Sequence, residues 1–339
     1  MQKKIAVVIL NYNGKNWLEK FLPSVLEHSS ELSDVIVADN LSTDDSIQFL
    51  NAHYPDLNII RIKENKGYAG GYNAALKEID YPYFVLLNSD IEVSANWLKP
   101  QLELLENNPE IAACQPKIRS YNDKEYFEYA GAAGGYIDYL GYPFCKGRIF
   151  SNLEKDTNQY ETSADIFWAS GAALFIRSEV YWEAGGLDER YFAHMEEIDL
   201  CWRIKNLGYR ILYCPGATVF HVGGGTLDSE NPRKAYLNFR NSLATLAKNL
   251  PRNKKVRIIF TRLVLDGVAS VQFIKEGKFK HVLAIIKAHF SFYKMLPYLI
   301  KNSAKAKNYP DQVYKGSMVK EFFIHKKDTF DQLNSKKWF

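Results

Sequence analysis

The run from Lys4 to Leu10 is continuously apolar, the pattern of a strand covered on both faces, and it breaks at Asn11-Tyr12-Asn13-Gly14. A helix is expected from about Asn16 to Glu27. Asp34 to Ala38 reads as a second strand ending at Asp39-Asn40. Ser42 or Thr43 is placed to cap the next helix, with Asp44 and Asp45 in its first turn. Leu57 to Ile62 reads as a third strand, Gly70 to Ile79 as a third helix, and Tyr83 to Leu87 as a fourth strand running into Asn88-Ser89-Asp90. This alternation predicts an α/β fold, a mainly parallel sheet flanked by helices, with binding residues at the carboxyl ends of its strands.

From Ser120 to Ser163 the periodicity loosens into Gly- and Tyr-rich sequence, long enough for a functional insertion. Regular pattern resumes with a strand at Ala172 to Ile176, a helix at Glu196 to Asn206, and short strands at Arg210 to Cys214 and Ala217 to His221. Beyond Glu230 the pattern is helical. Arg233 to Leu250 predicts a helix stopped by Pro251. From Lys280 to Lys301 the lysines recur every seven residues, at 280, 287, 294 and 301. Val282, Ile285, Ile286, Phe292, Tyr293, Leu296 and Ile300 fall opposite them, and Pro297 is expected to bend or end that helix.

Composition adds a division to this picture. A chain of 339 residues with 47% hydrophobic and 24% charged positions has a real core, and wholesale disorder is excluded. Of 43 Lys and Arg and 39 Asp and Glu, residues 1–229 hold 20 and 32, and residues 230–339 hold 23 and 7. The expected organisation is an acidic catalytic domain over 1–229 and a basic helical extension over 230–339. Such an extension suits an anionic surface. A membrane is favoured over nucleic acid, because no recognition motif accompanies the charge. The alternative is that its apolar face packs on the catalytic domain or on a second copy, as a homodimer. Four cysteines without close pairing speak against a disulfide scaffold. No window reads as a transmembrane helix, and the six apolar residues after Lys3-Lys4 are too few for a signal peptide. The expected location is cytoplasmic, peripheral at the inner face of the membrane.

Five places carry candidate chemistry, four of them just past strands. Asp39-Asn40 could receive a ribose or base edge, or simply turn the chain into a helix. The segment Asn65-Lys66-Gly67-Tyr68-Ala69-Gly70-Gly71-Tyr72-Asn73 allows close backbone approach to a phosphate or sugar, but it has neither the Walker nor the dinucleotide spacing. Asn88-Ser89-Asp90 puts an acid at a buried strand's exit, where solvation, pairing or a cation must support it. In His194-Met195-Glu196-Glu197-Ile198-Asp199 one acid could be a general base, or all could complement a helix dipole. His221, closing a strand before Val222-Gly223-Gly224-Gly225-Thr226, is a metal ligand or a structural histidine.

In this order, the set resembles the family-two, GT-A fold inverting glycosyltransferases, particularly their rhamnosyltransferase-like branch. The residues that carry the likeness are Val8-Ile9-Leu10-Asn11-Tyr12-Asn13, Val37-Ala38-Asp39-Asn40, the Gly-Tyr-Ala-Gly-Gly-Tyr-Asn loop, Leu87-Asn88-Ser89-Asp90, Ser170-Gly171-Ala172, Glu196 to Arg203, and His221-Val222-Gly223-Gly224. The likeness covers about two-thirds of the chain and implies a nucleotide-diphosphate sugar donor, UDP- or dTDP-linked, dTDP-rhamnose among them. It implies a donor site around Asn11, Asp39, Asn40, Asn65, Gly70, Gly71, Asn88 and Asp90. It also implies Mg²⁺ or Mn²⁺ at Asp90 and His221, although Asn88 replaces the first Asp of the family's Asp-x-Asp motif. Glu197 falls at the catalytic base, one methylene longer than the common Asp, with Glu196 and Asp199 as its possible acid partners. Trp168 and Ser170 fall in the acceptor region. The implied acceptor is a glycan or lipid-linked hydroxyl in cell-surface polysaccharide synthesis.

Two other readings are kept open. A nucleotidyltransferase forming nucleotide sugars should carry a basic Gly-rich loop after the first strand, where Asn11-Tyr12-Asn13-Gly14 is a poor substitute. A catalytically silent glycan-binding subunit would have no use for Asp90, Glu197 and His221 together.

Overall fold

A computed structural model describes residues 3–223, 231–304, 306 and 308–339. The segment Gly224-Gly225-Thr226 and the expected domain boundary at 229/230 lie outside the described residues. The first elements are β1 (Ile5–Asn11), α1 (Lys15–Ser29), β2 (Ser33–Asp39), α2 (Ser46–His53), β3 (Asn58–Arg61), α3 (Gly67–Leu76) and β4 (Tyr83–Asn88), in the predicted order. β1 lies between β2 and β4, parallel to both, with Asn11 opposite Asp39 and Leu10 opposite Asn88. The chain therefore leaves β1 first to one side and later to the other, which opens a crevice at the carboxyl ends of these strands. Alternate β1 residues enter opposite core layers: Ile5, Val7 and Ile9 one, Ala6 and Val8 the other.

β5 (Ile91–Val93), α4 (Lys99–Glu106) and β6 (Ile111–Ser120) follow. The loosened stretch then folds into short strands, β7 (Gly135–Asp138), β8 (Pro143–Cys145), β9 (Arg148–Ile149) and β10 (Asn152–Leu153). Next come β11 (Ala164–Asp165), β12 (Ala173–Arg177), α5 (Ser178–Glu183), α6 (Glu196–Asn206) and β13 (Arg210–His221). The central sheet runs β3-β2-β1-β4-β12-β6-β13-β11, with β5 also on β13. It is parallel from β3 to β4, and β12 then runs antiparallel to both β4 and β6.

Two local expectations change. The short strands expected at 210–214 and 217–221 are one strand, β13, whose register shifts between Cys214 and Thr218. Pro215 and Gly216 interrupt pairing there without ending it. At α2, Ser42 and Thr43 stand too far ahead to cap a helix that begins at Ser46. Asp44 Oδ1 accepts from the Ser46 amide instead, at 3.1 Å, and Ser42 Oγ is free to bond Asn11.

The C-terminal region forms α7 (Pro232–Asn249), α8 (Arg252–Lys275) and α9 (Phe279–Lys301), then β14 (Val313–Tyr314), which pairs parallel with β7. Leu243, Leu246, Leu250, Phe292 and Leu299 enter the same core layer as Ala6 and Val8. Pro297 sits inside α9 without ending it. The apolar face expected opposite the lysines divides: Ile285 and Phe292 are buried, whereas Ile286, Tyr293 and Ile300 are exposed. Among the described residues, no helix is long and apolar enough to cross a membrane.

Candidate active site

Paired side chains bind the strand ends that face the crevice. Asn11 Nδ2 donates to Asp39 Oδ1 at 3.1 Å and to Ser42 Oγ at 3.0 Å, and the Ser42 amide donates to Asp39 Oδ2 at 3.1 Å. Asn40 Nδ2 donates to Asn65 Oδ1 and to the Gly67 carbonyl, both at 3.1 Å, tying β2 to the glycine-rich segment. Beside Asp39 opens a pocket of about 430 Å³, lined among others by Leu41, Thr43, Asp44, Arg61 and Ile62. It offers apolar walls for a flat ring and polar groups for its edge.

The glycines serve packing as well as access. A Cβ on Gly71 would stand 2.8 Å from Leu10 Cδ1, and one on Gly70 would stand 2.6 Å from Lys66 Cβ. Gly67 has φ +67°, and a Cβ there would be 2.5 Å from the Phe192 carbonyl oxygen. That oxygen accepts from the Tyr68 and Ala69 amides at 2.7 and 3.3 Å. The first amides of α3 are thus satisfied by the segment leading into α6, where the sequence suggested a phosphate. The Tyr68 hydroxyl donates to the Gly171 carbonyl, so the Ser170-Gly171 segment meets the same place.

Asp90 and His221 come together from β4's exit and the end of β13. Asp90 Oδ1 lies 3.2 Å from His221 Nε2, and Asn88 Nδ2 lies 3.3 Å from the same nitrogen. On the ring's other side, Glu128 Oε2 is 3.2 Å from Nδ1. Burial pulls this imidazole down, but the carboxylates of Glu128 and Asp90 outweigh it and push it up to about 10. Two carboxylates thus draw a positive charge to a buried point, and a divalent cation could supply that charge in the proton's place. Among the described residues no three His, Cys, Asp or Glu side chains form a complete metal cage. Asp90 and His221 with open positions fit an ion that also takes phosphate oxygens. Glu128 would then orient the ligating imidazole from behind.

The acids of α6 separate into different environments. Glu196 is buried and Glu197 is partly exposed, and each has an Oε2 without a partner among the described residues. Burial raises both carboxyls, Glu196 well above the ordinary range and further raised by its neighbour's charge. Burial therefore disfavours ionising either carboxyl, and Glu196 carries the added repulsion of Glu197. Asp199 is engaged elsewhere, accepting from Lys248 Nζ at 2.9 Å, Arg203 Nε at 2.9 Å and Asn249 Nδ2 at 2.7 Å. Phe192, His194 and Met195, just before α6, all have left-handed backbones, with φ of 66°, 70° and 72°. Asn241 Nδ2, on α7, bonds three carbonyls of this turn, those of Tyr191, Ala193 and His194. Backbone strain at a functional site persists only when surrounding contacts hold it in this way.

Trp168 and Ser170 are buried and bonded within the chain. Trp168 Nε1 donates to the Tyr136 carbonyl at 3.0 Å, and the Ser170 amide donates to Gln115 Oε1 at 2.9 Å. They join the small sheet to the central one. The sequence reading had overlooked Glu128, Asn241 and Lys248. Glu128 lies in the stretch without periodicity. A polar Lys248-Asn249 pair inside the apolar Leu243 to Leu250 run was a usable signal for the last of them.

Comparison with known proteins adds to this geometry. The family model described as Glycosyl transferase family 2 matches residues 6–184. The chain is 26% identical over 239 residues to N-acetylglucosaminyl-diphospho-decaprenol L-rhamnosyltransferase of Mycobacterium tuberculosis, covering 65% of this chain and 76% of the relative. It is 24% identical over 228 residues to rhamnosyltransferase WbbL of Escherichia coli, covering 64% and 83%. A crystal structure of GalNAc-T7 with UDP, GalNAc and Mn²⁺ shares the fold, with a TM-score of 0.60 at 16% identity, covering 89% of this chain and 58% of that one.

Proposed function

The chain belongs to glycosyl transferase family 2, in its rhamnosyltransferase-like branch, and on that premise we propose that it is an inverting, metal-dependent hexosyltransferase. Its donor is a UDP- or dTDP-sugar, with dTDP-rhamnose the first to test. Its acceptor is a hydroxyl of a lipid-linked glycan, presented at the cytoplasmic face of a membrane during cell-surface polysaccharide synthesis. The rhamnosyltransferase relatives support the sugar, and the name of the mycobacterial enzyme supports the lipid-linked acceptor.

Asp39 and the pocket beside it hold the nucleoside. Asn11 and Asn40 fix the strand ends through Asp39, Asn65 and the Gly67 carbonyl. A divalent cation, Mg²⁺ or Mn²⁺, bound by Asp90 and His221 would neutralise the charge growing on the departing diphosphate. Glu197 takes the acceptor's hydroxyl proton as that oxygen bonds the anomeric carbon from the opposite face. The sugar–phosphate bond breaks, and its electron pair leaves on the nucleoside diphosphate. The observation that supports this reading is the placement of the acids: Glu197 is partly exposed with an unpartnered Oε2, Glu196 is buried, and Asp199 is tied to Lys248. The test is a thermal-shift screen of UDP-, dTDP- and GDP-sugars with Mn²⁺, followed by transfer to a polyprenyl-diphosphate-linked sugar. Donor binding without transfer or hydrolysis across an acceptor panel would favour the silent-subunit reading. Formation of a nucleotide sugar from NTP and sugar phosphate would favour a nucleotidyltransferase.

A further inference from the structure

The C-terminal helices α8 and α9 each have two apolar faces. Each buries one face and leaves a second apolar stripe in solvent. On α8 the stripe includes Val256 and Phe260, 82% and 67% exposed, and continues through Val264 and Val268. The spacing of four keeps these residues on one side of the helix. The opposite side carries Ile258, Arg262 and Asp266, all buried. On α9 the stripe runs through Phe279, Leu283, Ile286 and Phe290, the last 65% exposed, while Ile285, Ala288 and Phe292 face inward. The two helices are joined by only three residues, Glu276 to Lys278, and return side by side through a 3.0 Å contact between His289 Nε2 and Asp266 Oδ2. Each stripe lies opposite its own helix's buried face, so both are open to solvent. Exposed apolar surface on this scale marks an interaction site.

The charges along this surface identify its partner. Lys280, Lys287, Lys294 and Lys301 each follow a stripe position, Phe279, Ile286, Tyr293 and Ile300, so they line one edge of the α9 stripe. Over residues 252–301 the sequence has eleven Lys and Arg against two acids, Asp266, which is buried, and Glu276. An interface between two copies would bring these like-charged edges together, and protein interfaces are depleted in lysine. An anionic surface with an apolar interior would receive the stripe and the cations at once.

We propose that the outer face of the α8–α9 hairpin docks flat on an anionic lipid bilayer, its apolar stripes at the acyl boundary and its α9 lysines among the headgroups. Neither helix is apolar enough to span the bilayer, so the hairpin lies on it. This surface is separate from the transfer site, and the inference stands whether or not the sugar-transfer reading holds.

Flotation of the full-length protein with vesicles tests it. Phosphatidylcholine vesicles containing phosphatidylglycerol should carry the protein, and pure phosphatidylcholine should not. Phe260→Glu with Phe290→Glu should abolish flotation. Each neutralisation, Lys287→Gln or Lys294→Gln, should lower the partition coefficient roughly fivefold at low salt. All four positions are exposed, and circular dichroism with nucleotide-induced thermal shift will show that these variants remain folded. Absence of flotation with anionic vesicles at low salt overturns the proposal, as does undiminished flotation of the double-Glu variant. A dimer in light scattering that the double-Glu variant dissociates, with no vesicle binding by the parent, would assign the face to a second copy instead.

Discussion

Lys248, on α7, places its ammonium 2.9 Å from Asp199 on α6 and 2.8 Å from Asp188, with all three side chains buried. The helix that begins with the candidate base is thus anchored by the first helix of the C-terminal region. Lys248→Met should leave Asp188 without its cation and Asp199 with Arg203 alone, and cost about 3–5 kcal/mol, read as a fall in the denaturation midpoint. The pH dependence has a definite sign. Burial alone would raise the Asp199 carboxyl, but Arg203 and Lys248 outweigh it and hold it below the ordinary range. The unfolded chain therefore binds this proton more tightly, so the contribution is present above the ordinary carboxylate range and is lost as pH falls through the lowered value. Acid-unfolding curves should show a shallower dependence in the variant.

Glu197→Gln should lower kcat by roughly 10²–10⁴ while leaving the nucleotide-sugar Kd unchanged, because only proton removal is lost. Single-turnover transfer and calorimetry on the same preparation separate the two quantities. Glu196→Gln, at the buried neighbour of the base, should retain most of the activity.

Activity should rise with pH along an acid limb set by Glu197, since the base works only when ionised. Burial raises that carboxyl, so the limb should lie above the ordinary glutamate value of about 4.3. The limb should persist in Glu196→Gln and disappear in Glu197→Gln. A kcat/KM profile of the three proteins is the measurement.

Asp90→Ala and His221→Ala should each weaken nucleoside-diphosphate binding in Mn²⁺ and leave the residual binding insensitive to EDTA. Titration calorimetry with and without chelator checks this. Identical affinities in all arms would remove the metal from the site.

Gly67→Ala puts a side chain at φ +67° and 2.5 Å from the Phe192 carbonyl. The backbone cost alone is roughly 1–2 kcal/mol. Because the displaced contact joins the donor loop to the segment before Glu196, a lower melting temperature should be accompanied by weaker donor binding.

The first part of the chain was legible because β1, β2 and β4 are six- or seven-residue strands with apolar cores that end in Asn or Asp. Asp39, Asn88 and Asp90 could be placed by position alone. Strands such as Arg148–Ile149 and Asn152–Leu153 are too short to show a period, so the small sheet stayed hidden, as did Glu128 in the irregular stretch before it. The C-terminal region misled in a different way. Its lysine repeat was visible, but a helix with two apolar faces gives no sign of which one is buried. Ile285 and Ile286 are adjacent, and only packing against α7 separates them. Asn241 and Lys248 act across some fifty residues of sequence, on partners that no local pattern names.

β14 is the latest partner that β7 acquires. Val313 and Tyr314 pair with Ile137 and Asp138, and the Met318 amide donates to the Asp138 carboxylate across 180 positions of chain. At about 5–20 residues per second, a ribosome needs roughly 9–36 s to cover that distance. Throughout that interval one edge of β7 has no strand to pair with, and an open edge invites pairing with any other chain. Nascent copies on the same messenger are the nearest such chains. Slow translation of the last third would therefore lengthen the period in which polysome-bound copies can cross-pair, and the yield of folded protein should depend on elongation speed there more than on the rate at which the first sheet collapses.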